Sequence, residues 1–212
     1  MDENKKKAYD KSGPIVAKNL RKRYFDAYYV SNASEAVEKV LELIPETDVV
    51  SWGGSMTIDA LGIKDMLLKR GNPLIDRDTA RTPEERNSML KQALTCDTFL
   101  MSSNAVSADG QLVNIDGTGN RLAAMIFGPD SIIVVAGMNK VVPTADDAMK
   151  RARAVAAPLN AQRFEIDTPC NFTGQCADCT SPQSICTYLL TTRISRPAGR
   201  IKVVLVGEDL GL

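Results

Sequence analysis

The chain has 212 residues, 44% of them hydrophobic and 25% charged, which suits one globular domain of generous size or one domain with an appendage. Lys plus Arg equals Asp plus Glu at 26 each, so overall charge gives no argument for nucleic acid as a partner. Histidine is absent, which excludes Ser-His-Asp and Cys-His nucleophile pairs, His-ligated zinc and an imidazole shuttle, and leaves proton transfer to Asp, Glu, Lys, Tyr or Cys.

In chain order, residues 2–23 predict a basic, partly amphipathic helix interrupted near Gly13-Pro14. Its eight Lys/Arg stand against three acids within residues 1–23, a pattern more often a solvated face than a polyanion contact. No apolar run approaches the ~18 residues of a membrane span, and MDENKKK lacks a signal-peptide core. The expectation is a cytoplasmic protein without membrane insertion, its thiols reduced or metal-bound.

Phe25 to Val30 predicts a strand. Asn32 and Glu35 stand as a capping pair for a helix ended by Pro45. Asp48 to Trp52 reads as a short buried strand, followed at once by Gly53-Gly54-Ser55. A helix starts near Ser55 with a break at Gly62, and Pro73 to Ile75 is a short strand. Thr82-Pro83-Glu84-Glu85 opens a helix to about Thr95. Asp97 to Ser102 is a strand, and Asp109-Gly110 is a two-residue hairpin signal. Beyond the hairpin, Val113 and Ile115 share one face while Asn114 and Asp116 share the other. Gly117-Thr118-Gly119-Asn120 leads to a helix near Leu122 to Phe127, with Arg121 in its first turn. A strand at Ser131 to Ala136, a helix capped by Thr144 and Asp147, a cysteine-rich segment over 168–187 and a strand at Ile201 to Val206 complete the pattern. Strands alternating with helices predict an α/β fold with a mainly parallel sheet flanked by helices, plus an antiparallel hairpin.

Open parallel sheets bind ligands outside the carboxyl ends of their strands. Three loops qualify there: Gly53-Gly54-Ser55, the run containing Asn104, Asn114, Asp116, Gly117, Gly119, Asn120 and Arg121, and Asn139-Lys140. Glycines admit a ligand to the backbone, and helix N-termini offer N–H donors to an anion. The alternatives are a tight strand-to-helix turn for the first, a glycine turn with Arg121 paired to a surface acid for the second, and an ordinary loop lysine for the third. Neither glycine loop is a nucleotide fingerprint. For Trp52 a core or rim role stands ahead of ligand stacking, and Cys96 reads as a small core residue.

Cys170, Cys176, Cys179 and Cys186 form C-x5-C-x2-C-x6-C, four of the chain's five cysteines within 17 residues. The two-residue spacing of Cys176 and Cys179 is one used by thiolate metal sites. Without histidine, an all-thiolate site is the only four-ligand option in the cluster. An iron–sulfur cluster and zinc both accept it, and a free-thiol loop or dithiol switch is the alternative.

The runs GGS, SNA…DGQLVNIDGTGNR and VVAGMNKVVPT resemble the LUD-domain family, whose namesake is lactate-utilisation protein C, across roughly residues 5 to 207. The family resembles the superfamily of ribose-5-phosphate isomerase, glucosamine-6-phosphate deaminase and CoA transferases. The resemblance therefore implies a single domain with a twisted, mainly parallel sheet, a composite site from several strand-end loops, and a homodimer. It also implies a role in oxidising L-lactate to pyruvate beside iron–sulfur partner proteins.

Three functions follow as expectations. The first is an accessory protein of lactate or organic-acid utilisation, binding a small anionic ligand and relaying electrons through a thiolate-held cluster. The second is an isomerase- or transferase-type enzyme acting on a phosphorylated or carboxylate substrate, with Asp116 as base or nucleophile. The third is a non-enzymatic interaction module with structural zinc.

Overall fold

The computed structural model describes residues 1–212. Ten strands form two sheets: β1 (Asp26–Val30), β2 (Val50–Trp52), β3 (Leu74–Ile75), β4 (Thr98–Met101), β5 (Ala105–Ser107), β6 (Leu112–Asp116), β7 (Ser131–Gly137), β8 (Val141–Val142), β9 (Tyr188–Thr192) and β10 (Ile201–Val206). The larger sheet is wholly parallel in the order β1-β10-β7-β4-β2-β3. The smaller sheet, β8-β5-β6-β9, is mixed, with β5 and β6 as the antiparallel hairpin.

The central strands are apolar on both faces because helices cover both sides. Along β7, Ile132, Val134 and Ala136 enter one core cluster and Ile133 and Val135 the other. Along β10, Ile201, Val203 and Leu205 alternate in the same way with Val204 and Val206. The first cluster also takes Val16, Ala17 and Leu20 from helix α1 (Glu3–Lys22), and the second takes Ala36 and Val40 from α2 (Ala33–Leu43).

Local chemistry sets the element ends. The Asn32 side chain accepts from Glu35 N while Glu35 reaches back to Ser31 N, a reciprocal cap. Ser55 caps α3 (Met56–Ala60), and Gly62, at φ 63°, separates it from α4 (Ile63–Arg70). Thr82 caps α5 (Pro83–Gln92). Thr144 caps α7 (Ala145–Arg151), which runs through a π turn at Ala152–Ala156 into α8 (Ala157–Ala161).

Four sequence expectations are corrected. Helix α1 is unbroken through Gly13 and Pro14. The Tyr29 ring lies so close to Gly13 that a Cβ there would overlap it, and burial of Val16, Ala17 and Leu20 outweighs the ~3 kcal/mol penalty of an interior proline. The hairpin turn closes over three residues rather than two, with Gly110 N bonded to Ser107 O and Ser107 N to Gln111 O. Gly110 is required twice, by its φ of 96° and by the Asn19 backbone 2.7 Å from where its Cβ would stand. The strands β8 and β9 were not anticipated, and the cysteine segment contains a short helix, α9 (Pro169–Thr173).

Half of the eight amino-terminal basic residues are ion-paired: Lys5 with Asp209, Lys6 with Asp10, Lys7 with Glu3 and Arg23 with Asp109. No helix is long and apolar enough to cross a membrane.

Candidate functional site

Adjacent strands β7, β4 and β2 end on the same side of the parallel sheet. Their following segments deliver Lys140, Ser102–Asn104 and Gly54–Thr57 to one cavity of about 390 Å³. Helix α6 (Asn120–Phe127) and the turn before it supply Asp116, Gly117, Thr118, Asn120 and Arg121. Arg77, Arg86, Arg163 and Phe164 complete the charged and aromatic part of the wall.

Lys140 is the most unusual group in the cavity. It is 3% exposed, although lysine is almost never fully buried without a partner. Its Nζ donates to Thr57 Oγ1 at 3.1 Å and Ser102 Oγ at 3.0 Å, and to nothing else. Burial first, then the guanidinium charges of Arg151 and Arg121, bring its pKa down to about 7. Arg151 also fixes the loop: its Nε donates to Asn139 O at 3.2 Å and its Nη1 to Asn104 O.

Arg121 has the opposite character. Nε donates to Asp116 at 3.3 Å, Nη1 to Ser102 O and Asn114 Oδ1, and Nη2 to Asn104 Oδ1 and Ile115 O. Those five acceptors match the five donors of a guanidinium. Arg121 therefore clamps the signature run together, and it lines the cavity with its hydrogen bonds already made. Gly53 makes room for this arrangement, since a Cβ there would stand 2.9 Å from Arg121 Cδ.

Asp116 is likewise engaged. Oδ1 accepts from Thr118 N at 3.1 Å and Gly119 N at 2.8 Å, and Oδ2 from Arg121. These bonds hold the glycine turn that opens α6. Asn114 and Asp116 do share one face of β6, but Asn114 is fully buried between Arg121 and Met125 and does not line the cavity.

Asn104 lines the cavity with its Oδ1 bound by Ile115 N and Arg121. Asn139 turns away and holds Leu210 N at 3.1 Å. Gly54 and Ser55 line the cavity, with Ser55 capping α3 by accepting from Ile58 N. Trp52 is a core residue, 2% exposed.

The wall is cationic. Arg77, Arg86, Arg121, Arg163 and Lys140 face it against one acidic side chain, Asp116. Asp78 stands near two of the arginines, 3.4 Å from Arg77 and 3.8 Å from Arg86. This excess gives the cavity a positive potential. Sequence reasoning missed Thr57, Arg77, Arg86, Arg151 and Arg163. Only Thr57, five residues past the first glycine loop's strand, carried a local signal.

The cysteines make a second, adjoining hollow of about 60 Å³ lined by Cys170, Cys176, Cys179 and Cys186 together. All four are free thiols, and Cys186 is pushed up to about 11 by burial and then by the other three. No three Cys, Asp or Glu side chains are gathered closely enough to hold a single metal ion. The thiols instead ring a shared space. The donor set, four cysteines and no histidine, fits an all-thiolate group. Ile185 lines both hollows.

The segment carrying the last cysteine packs on the glycine turn. A Cβ on Gly117 would stand 3.0 Å from Ile185 Cα, and one on Gly119 would stand 3.0 Å from the Tyr188 ring. Both glycines thus admit protein backbone or ring, and of the two only Gly117 also borders the larger cavity.

Comparison with known proteins bears on the whole chain. No curated relative matches it. A crystal structure of a DUF162 family protein from Deinococcus radiodurans superposes with a TM-score of 0.55 at 13% identity, covering 93% of this chain and 97% of that one. Ribose 5 phosphate isomerase A from Neisseria gonorrhoeae has a TM-score of 0.34 at 17% identity over 53% of this chain and 54% of its own. The family model described as the LUD domain matches residues 14–206. A match that spans both sheets and both hollows shows that the chain belongs to the LUD-domain family.

Proposed function

We propose that this protein binds a small organic acid anion in the larger cavity and carries a thiolate-held iron–sulfur cluster beside it, as an accessory protein of lactate or related organic-acid oxidation. The observation that carries the reading is Lys140, a buried amine on the cavity wall with hydroxyl neighbours and no carboxylate partner. An anionic ligand supplies the missing countercharge. The guanidinium groups of Arg77, Arg86 and Arg163 add donors suited to a carboxylate.

Cys170, Cys176, Cys179 and Cys186 would hold the cluster, which supplies one-electron chemistry when bound. Zinc draws thiolate sulfurs to about 2.3 Å around one point. The four thiols line one hollow together, a donor set that an iron–sulfur core and zinc both accept.

An enzyme using Asp116 as base ranks second, because both of its oxygens already accept hydrogen bonds that hold the turn.

The test is calorimetric titration of anaerobically purified protein with L-lactate and pyruvate, together with iron and acid-labile sulfide analysis. Saturable binding that Lys140→Met abolishes, and iron with sulfide in the protein, support the reading. Stoichiometric zinc without sulfide returns the cysteines to a structural module, and no binding by either acid removes the ligand half.

A further inference from the structure

We propose that Lys140 is a nucleophile that forms an imine with the oxo group of a short 2-oxo acid held in the cavity. This deepens the anion-binding reading above and rests on it, since the acid's carboxylate is what the arginine wall would hold.

Three features of the site separate Lys140 from a lysine placed only for charge. An ammonium has three N–H donors, and here two go to the hydroxyls of Thr57 and Ser102, leaving one for the cavity. Its charged neighbours, Arg121 and Arg151, are both cationic, from α6 and α7. Desolvation beside cationic groups keeps a lysine amine neutral and nucleophilic near pH 7. Both hydroxyls also line the same cavity and are placed to pass protons to and from the nitrogen.

The step is balanced as follows. The Lys140 nitrogen lone pair adds to the carbonyl carbon, the carbonyl π pair becomes a hydroxyl by taking up a proton, and the nitrogen loses one. The carbinolamine hydroxyl then leaves as water after a second protonation, and the nitrogen lone pair forms C=N. One water is released, and no atom changes its overall electron count. The carboxylate stays with the arginines throughout.

The test adds sodium cyanoborohydride to the full-length protein in the presence of pyruvate. Hydride from the reagent reduces the imine to a secondary amine and makes the link permanent. The expected result is one adduct per chain, with the mass of pyruvate less one oxygen atom, mapping by peptide sequencing to Lys140 and suppressed by excess L-lactate. Lys140→Arg, which keeps a cation in the site, should lose the adduct while retaining its circular dichroism spectrum. Saturable pyruvate binding by calorimetry without an adduct at Lys140 overturns the imine and leaves anion binding standing. Equal labelling of wild type and Lys140→Arg also overturns it, as surface lysine chemistry. Absence of any pyruvate binding overturns both.

Discussion

Ile185 lies against Gly117 so closely that a single methyl group on the glycine would stand 3.0 Å from the Ile185 Cα. One contact thus joins the loop that opens α6 to the cysteine segment, and Ile185 itself separates the two hollows. The neighbour is backbone, which cannot swing aside as a flexible side chain would. Gly117→Ala should therefore destabilise the protein by about 1–3 kcal/mol through overpacking. Chemical denaturation measures this as a lowered midpoint.

Arg121 holds five acceptors, three from Asn114, Ile115 and Asp116 of β6 and two from Ser102 and Asn104 between β4 and β5. Removing it strands the 10% exposed Asp116 carboxylate as well. Arg121→Met is expected to cost about 3–5 kcal/mol, read as a lowered denaturant midpoint. Arg121→Lys should recover little, because an ammonium cannot reproduce the planar fork.

Lys140 gives a pH signature. Its folded pKa of about 7 lies below the ordinary 10.5, so between those values the unfolded chain binds more protons. Stability then rises with pH across that window, and the penalty is largest below pH 7, where the amine is protonated and buried. The facing charged groups are Arg121 and Arg151, with Asp116 on the same cavity wall. Lys140→Met should flatten the rise, which for wild type is on the order of a few kcal/mol. Denaturation midpoints of both proteins between pH 7 and 10 measure it, and an equal rise in the variant would assign the effect elsewhere.

Binding should run the other way. An anion favours the charged amine, so affinity for lactate is expected to fall as pH rises above 7. Calorimetric titrations at pH 6 and pH 9 check the sign.

On the proposed iron–sulfur reading, Cys170→Ser and Cys186→Ser are each expected to lower bound iron to below half of wild type while leaving the parallel sheet intact. The segment contributes no strand to the larger sheet and leads into β9, the edge strand of the smaller one. Iron analysis and far-ultraviolet circular dichroism on the same samples separate the two effects. Cys96 is a control: it is buried, hydrogen-bonded to Thr98 O and pushed up to about 12 by burial, so Cys96→Ala should keep the iron.

The amino-acid sequence by itself determined the α/β alternation, the caps at Asn32, Thr82 and Thr144, the hairpin and the clustering of the cysteines. Those features depend on residues a few positions apart, so periodicity and spacing expose them. What Lys140 and Arg121 do was decided only in three dimensions. In sequence each stood between an anion contact and an ordinary surface residue, yet one is saturated by five acceptors and the other is left with two hydroxyls, one of them 83 residues away. The strand β9 and the packing of Ile185 on Gly117 escaped for the same reason, since pairing and close approach belong to distant segments. Asp109-Gly110 and GTG looked like turn and ligand glycines. The Asn19 backbone, Ile185 and Tyr188 give them a second reason to lack a side chain, and no local pattern records which distant segment will fill the place of a glycine's missing Cβ.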